Sequence, residues 1–125
     1  MNMGFITVQV KNMEESLKFY IDFLGLKEVV KFSPRPGVSI VFLGDEKGNR
    51  IELIQGNEDN SSENKINPLV SIGFPVDNVD NILKVVNEKN IEIEKGPIQL
   101  PNGARIVFVK DPNGVEIEFI EGFNF

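Results

Sequence analysis

The sequence predicts an α+β fold of two tandem β-α-β-β-β units forming an open, barrel-like mixed sheet with a concave cleft. Three observations lead there: self-similarity at a constant offset of 66 residues, an apolar stripe at helical spacing after the first strand of each copy, and tight-turn residues between apolar runs. Ile6 meets Ile72, Val10 meets Val76, Asn12 meets Asn78, and Leu17-Lys18 meets Leu83-Lys84. Gly37 meets Gly103, Ile40-Val41-Phe42 meets Ile106-Val107-Phe108, Asp45 and Gly48 meet Asp111 and Gly114, and Ile51-Glu52 meets Ile117-Glu118. No gap is needed from Gly4 to Gly56. The length of 125 residues suits a single domain. The first unit runs over about 4–56 and the second over about 67–122, joined by the polar stretch 57–66 with linker composition.

The elements follow in order. A strand runs from Phe5 to Val10. Asn12 then caps a helix, with Glu15 three residues on as a capping box, and Met13, Leu17, Tyr20/Ile21 and Leu24 form its stripe. Gly25 ends it. Three strands follow, over 27–32, 38–43 and 50–55, the last two joined by the turn Asp45-Glu46-Lys47-Gly48. The second copy repeats this. A strand spans 70–76, and Asp77 or Asn78 caps a helix carrying Val79, Leu83 and Val86. Strands then span 91–94, 104–110 and 115–121, the last two joined by Asp111-Pro112-Asn113-Gly114. Tyr20 is expected to pack on the helix face rather than act as an acid.

Strand alternation assigns faces. Ile6, Val8, Val10, Ile40, Phe42, Ile51 and Leu53 are read as the face under the helix, with Ile72, Phe74, Val76, Ile106, Phe108, Ile117 and Phe119 as their counterparts. The opposite face then carries Phe5, Thr7, Gln9, Ser39, Val41, Leu43, Arg50, Glu52 and Ile54. Its counterparts are Ser71, Gly73, Pro75, Arg105, Val107, Val109, Glu116, Glu118 and Ile120. That mixture suits a concave ligand-facing surface, and equally a partly solvated sheet face.

Composition narrows the chemistry. The chain has no cysteine, which excludes disulfides, a thiolate nucleophile and thiolate-held metal. It has no histidine, which removes the usual general base and the commonest transition-metal ligand. Acid–base work would fall to carboxylates, lysine or Tyr20, and any ion would need oxygen ligands, as Mg, Ca and Mn accept. A net charge of −6 argues against a nucleic-acid partner. No apolar run approaches the ~20 residues of a membrane span. No basic segment followed by an apolar core opens the chain, so a cytoplasmic domain with no membrane partner is expected.

The run Val10-Lys11-Asn12-Met13-Glu14-Glu15-Ser16-Leu17-Lys18-Phe19-Tyr20, then Leu24-Gly25-Leu26, then Val109-Lys110-Asp111-Pro112-Asn113-Gly114-Val115-Glu116-Ile117-Glu118, resembles the vicinal oxygen chelate superfamily. That group holds glyoxalase I, bleomycin-resistance proteins and extradiol dioxygenases. The resemblance covers nearly the whole chain. It implies paired β-α-β-β-β units around a cleft, often completed in a homodimer. It also implies a divalent ion held by one ligand from the first strand and one from the last strand of each unit, usually His and Glu. The last-strand positions match Glu52 and Glu118. The first-strand positions match Phe5 and Ser71, neither of them histidine.

Two functional readings compete. In the first, the chain is a metal-free binder of a small drug or metabolite in a dimeric cleft. Phe5, Thr7, Ser39, Val41, Arg50, Ser71, Arg105 and Val107 are its candidate contacts, and Glu52 and Glu118 its acidic groups. In the second, it is a glyoxalase-like lyase or isomerase with Glu52 and Glu118 as ligands of a weakly held Mg, Ca or Mn, and with Glu118 or Glu52 as the catalytic base. No cofactor is otherwise expected. A third class is a structural or regulatory dimer. Glu52 and Glu118 are also readable as relics of the duplication, and Arg105 as the partner of Glu116 or Glu118. Phe123 and Phe125 are candidate dimer or lid contacts, and the run Glu58–Glu63 reads as solvated linker.

Overall fold

Asn12 starts the first helix because its side chain accepts the backbone N–H of Glu15 at 2.9 Å, satisfying one of the donors a helix start leaves unpaired. Asn78, not Asp77, does the same for the second, accepting from Asn81 at 3.1 Å. In the computed structural model, residues 2–56 and 70–123 are described. The linker 57–66, its acidic run and Phe125 lie outside them.

The chain divides into two compact units, Met1–Ile66 and Asn67–Phe125. In the first unit β1 (Ile6–Val10), α1 (Met13–Leu17), β2 (Lys27–Arg35), β3 (Val38–Gly44) and β4 (Arg50–Gln55) follow in order. In the second, β5 (Ser71–Val76), α2 (Val79–Glu88), β6 (Ile93–Gln99), β7 (Arg105–Lys110) and β8 (Glu116–Glu121) repeat it. Each unit is an open four-stranded mixed sheet, ordered β1-β4-β3-β2 and β5-β8-β7-β6. The first strand lies parallel to the last, which is possible because the helix supplies the crossover. The α+β class and the two β-α-β-β-β units therefore stand.

Three local differences from the sequence reading have physical causes. Beyond Leu17 the first helix widens into a π-helical segment, Lys18–Phe23, where Leu24 N–H donates to Phe19 C=O five residues back. The widening turns Tyr20 fully inward, and Phe19 packs edge-on against both Tyr20 and Phe23 at 5.3 and 5.2 Å. Tyr20 is thus a packing residue. Strand β2 runs on to Arg35, and β6 starts later than predicted and ends at Gln99. Both pair with their neighbours through register shifts, which blur the alternation that would have marked their ends.

The sheet also caps its own helix. Gln55, at the end of β4, accepts the N–H of Met13 at 2.6 Å. Glu121, at the equivalent point of β8, accepts the N–H of Val79 at 2.8 Å. Helix α1 packs on β4, and α2 on β7 and β8, over a core that includes Val8, Leu43 and Leu53 in the first unit and Val107, Ile117 and Phe119 in the second.

The β3–β4 and β7–β8 turns are built alike. Asp45 accepts the N–H groups of Lys47 and Asn49 at 2.9 Å, and Asp111 those of Asn113 and Val115 at 2.8 and 2.7 Å. Gly48 and Gly114 follow at φ 93° and 95°, where a side chain would be strained. Hydrogen bonds, first that of the Asn49 side chain and then backbone N–H groups, hold the Asp45 carboxyl below its ordinary value of 3.8. A carboxyl lowered in the folded state contributes stability that is complete above its unfolded value and lost as pH falls through the folded one. Wild type is therefore expected to exceed Asp45→Ala in denaturant midpoint at pH 7, with the gap closing as pH falls below about 4. Equal midpoints at pH 7 would remove this role for Asp45.

Candidate functional site

Pairing register, rather than alternation along one strand, decides which side chains share a face. Glu52 stands opposite Thr7 on β1 and Phe42 on β3. Val41 stands opposite Leu53, and Leu43 opposite Ile51. The same holds in the second unit, where Glu118 stands opposite Gly73 and Phe108, and Val107 opposite Phe119. The β3 and β7 faces are therefore the reverse of the sequence reading. Phe42 and Phe108 lie on the glutamate face; the contact of the Phe5 and Phe42 rings at 5.0 Å fits this. Val41, Leu43, Val107 and Val109 lie under the helix, each 0% exposed. Val41 and Val107 are core residues and offer a ligand no surface.

Two further candidate contacts change place with them. Ser39 stands opposite Gln55, on the helix side. Arg105 stands opposite Glu121 and reaches Asp80 of α2 at 3.4 Å and Glu121 at 3.8 Å. It braces the helix start instead of lining a site, and its partners are not Glu116 or Glu118. Phe5, Thr7 and Arg50 remain on the face of Glu52, and Ser71 on that of Glu118.

The two glutamates, equivalent in the repeat, have different surroundings. Thr7 Oγ1 donates to Glu52 Oε1 at 2.7 Å, so one oxygen of this carboxylate already has a donor. The position equivalent to Thr7 is Gly73, which has no hydroxyl to give. Among the described residues Glu118 has no hydrogen-bond or ion-pair partner. It borders a recess of about 300 Å³ lined by Gly73, Pro75, Glu118, Ile120 and Phe123. Gly73 and Pro75 come from β5, an edge strand, where the missing N–H of proline breaks no ladder. Ile120 shares the face of Glu118 two residues on, and Phe123 follows the end of β8, 44% exposed. The recess is thus an apolar wall with one half-buried carboxylate. On the same face of the sheet Lys95 sits 4.4 Å over the Phe108 ring and 3.8 Å from Glu116, a cation already matched.

Sequence reasoning placed Gly73, Pro75 and Ile120 on the right face without naming them as contacts. It passed over Phe108, whose signal was its cross-strand place beside Glu118.

The ion site implied by the resemblance needs an imidazole and a carboxylate from each unit. Phe5 has no lone pair to offer, and Ser71 only a neutral hydroxyl. Among the described residues no group of three or more His, Cys, Asp or Glu gathers as the donors of an ion would. The residues present do not fit such a metal, and no step is assigned to one.

Residues 2–119 match the family model described as the glyoxalase/bleomycin resistance protein/dioxygenase superfamily. The lactoylglutathione lyase of Neisseria meningitidis is 31% identical over 120 residues, covering 91% of this chain and 86% of that one. A glyoxalase family protein from Bacillus cereus superposes with a TM-score of 0.78 at 17% identity, over 97% of this chain and 93% of that one. TnmS3, an antibiotic binding protein from Streptomyces sp. CB03234, does so with a TM-score of 0.75 at 17% identity, over 97% and 95%. At these identities the two structures speak for the fold alone. The family model spans nearly the whole chain: the chain belongs to the glyoxalase/bleomycin resistance protein/dioxygenase superfamily.

Proposed function

We propose that the chain binds a small, cationic, partly apolar molecule without a metal ion, using Glu118 as the charged contact. The observation that carries this is the Glu118 carboxylate, without a partner among the described residues, at the rim of an apolar recess. A carboxylate in such a setting favours a cation, which restores the interactions it gave up with water, while Pro75, Ile120 and Phe123 shield an apolar stem. The family's description, which includes bleomycin resistance proteins, supports a drug or metabolite as ligand. In this reading the protein works as a cytoplasmic homodimer, and the exposed Phe5, Val30 and Phe32 of the first sheet supply apolar surface for pairing.

Calorimetry with a cationic glycopeptide of the bleomycin class is the direct test. Saturable binding without added metal, abolished by excess competing cation, is expected. No heat at millimolar ligand would discard this ligand class.

The identity to lactoylglutathione lyases favours a second reading, a glyoxalase-like lyase or isomerase with Glu118 or Glu52 as base. Turnover of the methylglyoxal–thiol hemithioacetal on adding Mg, Ca or Mn, lost in Glu118→Gln, would establish it in place of the first.

A further inference from the structure

Gly73 is a costly choice for its position. It lies inside β5, where glycine gives the strand no side chain to pack and loses more chain freedom than any other residue. The backbone does not demand it, because Gly73 is not among the glycines at positive φ. Nor does packing, because among the described residues a Cβ there would meet nothing within 4 Å. The open space it leaves is the recess beside Glu118. The first unit shows what a side chain does in that place: Thr7, the counterpart of Gly73 in the repeat, fills the position beside Glu52 and donates its hydroxyl to it at 2.7 Å.

We infer that Gly73 is the specificity-determining residue of the recess, and that its missing side chain admits the ammonium group of an arylalkylammonium ligand to Glu118. This rests on the reading of Glu118 as the ligand contact. The ligand class follows from the lining. The carboxylate takes the ammonium, the Gly73 gap takes the carbon next to it, and Pro75, Ile120 and Phe123 face the aromatic end. The two units thereby divide their work. The Thr7–Glu52 pair is closed by its own hydroxyl, and the Gly73–Glu118 pair is left open for a guest. A threonine at 73 would close the second pair in the manner of the first.

The probe is benzylamine hydrochloride, with benzyl alcohol as its uncharged counterpart, titrated at pH 7 into the full chain and followed by amide NMR at residues 73 and 120. In wild type, saturable shifts are expected with benzylammonium and at least tenfold weaker ones with benzyl alcohol. Gly73→Ala is expected to weaken benzylammonium a few-fold and Gly73→Thr at least tenfold, both unfolding at or above the wild-type temperature. Glu118→Gln is expected to bring the two probes to similar affinity. Should Gly73→Thr misfold, Gly73→Ala alone decides. Wild-type affinity in the Gly73 variants, with binding lost in Glu118→Gln, would overturn the role of Gly73 and leave the Glu118 reading standing. Benzylammonium binding that ignores Glu118→Gln, or no binding in wild type, would overturn both. A changed oligomeric mass in Gly73→Thr with unchanged probe affinity would show that the gap serves chain–chain contact, which also overturns the inference.

Discussion

Glu118→Gln is expected to cost about tenfold in affinity for a cationic ligand while leaving the fold intact. The magnitude lies between two limits. A hydrogen bond to a charged group contributes about 1.5–3 kcal/mol when well enclosed, and a fully exposed ion pair about 0.2–1 kcal/mol. Glu118 is half-buried beside an open recess, so the expected loss is about 1.4 kcal/mol, or tenfold. Glutamine keeps the shape and one acceptor oxygen, so the substitution removes the charge and turns the other oxygen into an N–H donor. The same change at Glu52 is expected to be milder for the ligand, because the Thr7 hydroxyl already donates to one oxygen of that carboxylate and its side chain fills the place beside it. Titration calorimetry of the two variants side by side checks this. Equal losses would mean that the two glutamates act together, and the division between the units would fall.

Ile117→Ala is expected to lower stability by about 2–5 kcal/mol, the range for truncating a large apolar side chain in a core. Ile117 is 0% exposed and lies opposite Val109 and Ile72 on the helix side of its sheet. Ile120→Ala, three residues on in the same strand, is expected to cost much less, because Ile120 is on the other face and half-buried. It should instead widen the recess and weaken the hold on an apolar stem. Urea denaturation of both variants separates the two outcomes. A cost at Ile120 equal to that at Ile117 would contradict the face assignment on which the site is built.

That assignment is also where the sequence ran short. The duplicated unit, the Asn12 cap, the aspartate turns and the two last-strand glutamates were all legible, because each rests on a local pattern or on the repeat, while the second cap stayed open between Asp77 and Asn78. The faces of β1 and β4 were legible too, since Ile6-Thr7-Val8-Gln9-Val10 and Arg50-Ile51-Glu52-Leu53 alternate cleanly. The runs Ile40-Val41-Phe42-Leu43 and Ile106-Val107-Phe108-Val109 do not. They are apolar at every position, so alternation has no phase to read and an error of one residue exchanges every side chain between core and site. Only the cross-strand partners Glu52–Phe42 and Glu118–Phe108 supply the phase. Arg105 was misplaced for the same reason. Its strand was counted from the wrong phase, which hid Glu121, and its other partner, Asp80, lies on a helix that no strand pattern could bring to it.

The pairing of the first strand with the last governs how such a chain is made. Thr7 and Glu52 touch across 45 residues of sequence, and β4 is the strand neighbour of β1 in its sheet. As the chain leaves the ribosome, β2 and β3 can form their hairpin early, but β1 waits unpaired until β4 has emerged. A nascent chain stopped before Arg50 leaves an apolar strand with an open edge, the kind of surface that recruits chaperones or other chains. The second copy repeats the delay with β5 and β8. Contacts this distant in sequence slow folding relative to a plain meander of the same length, so the architecture that sets a first-strand residue beside a last-strand glutamate also makes that pair among the last to form.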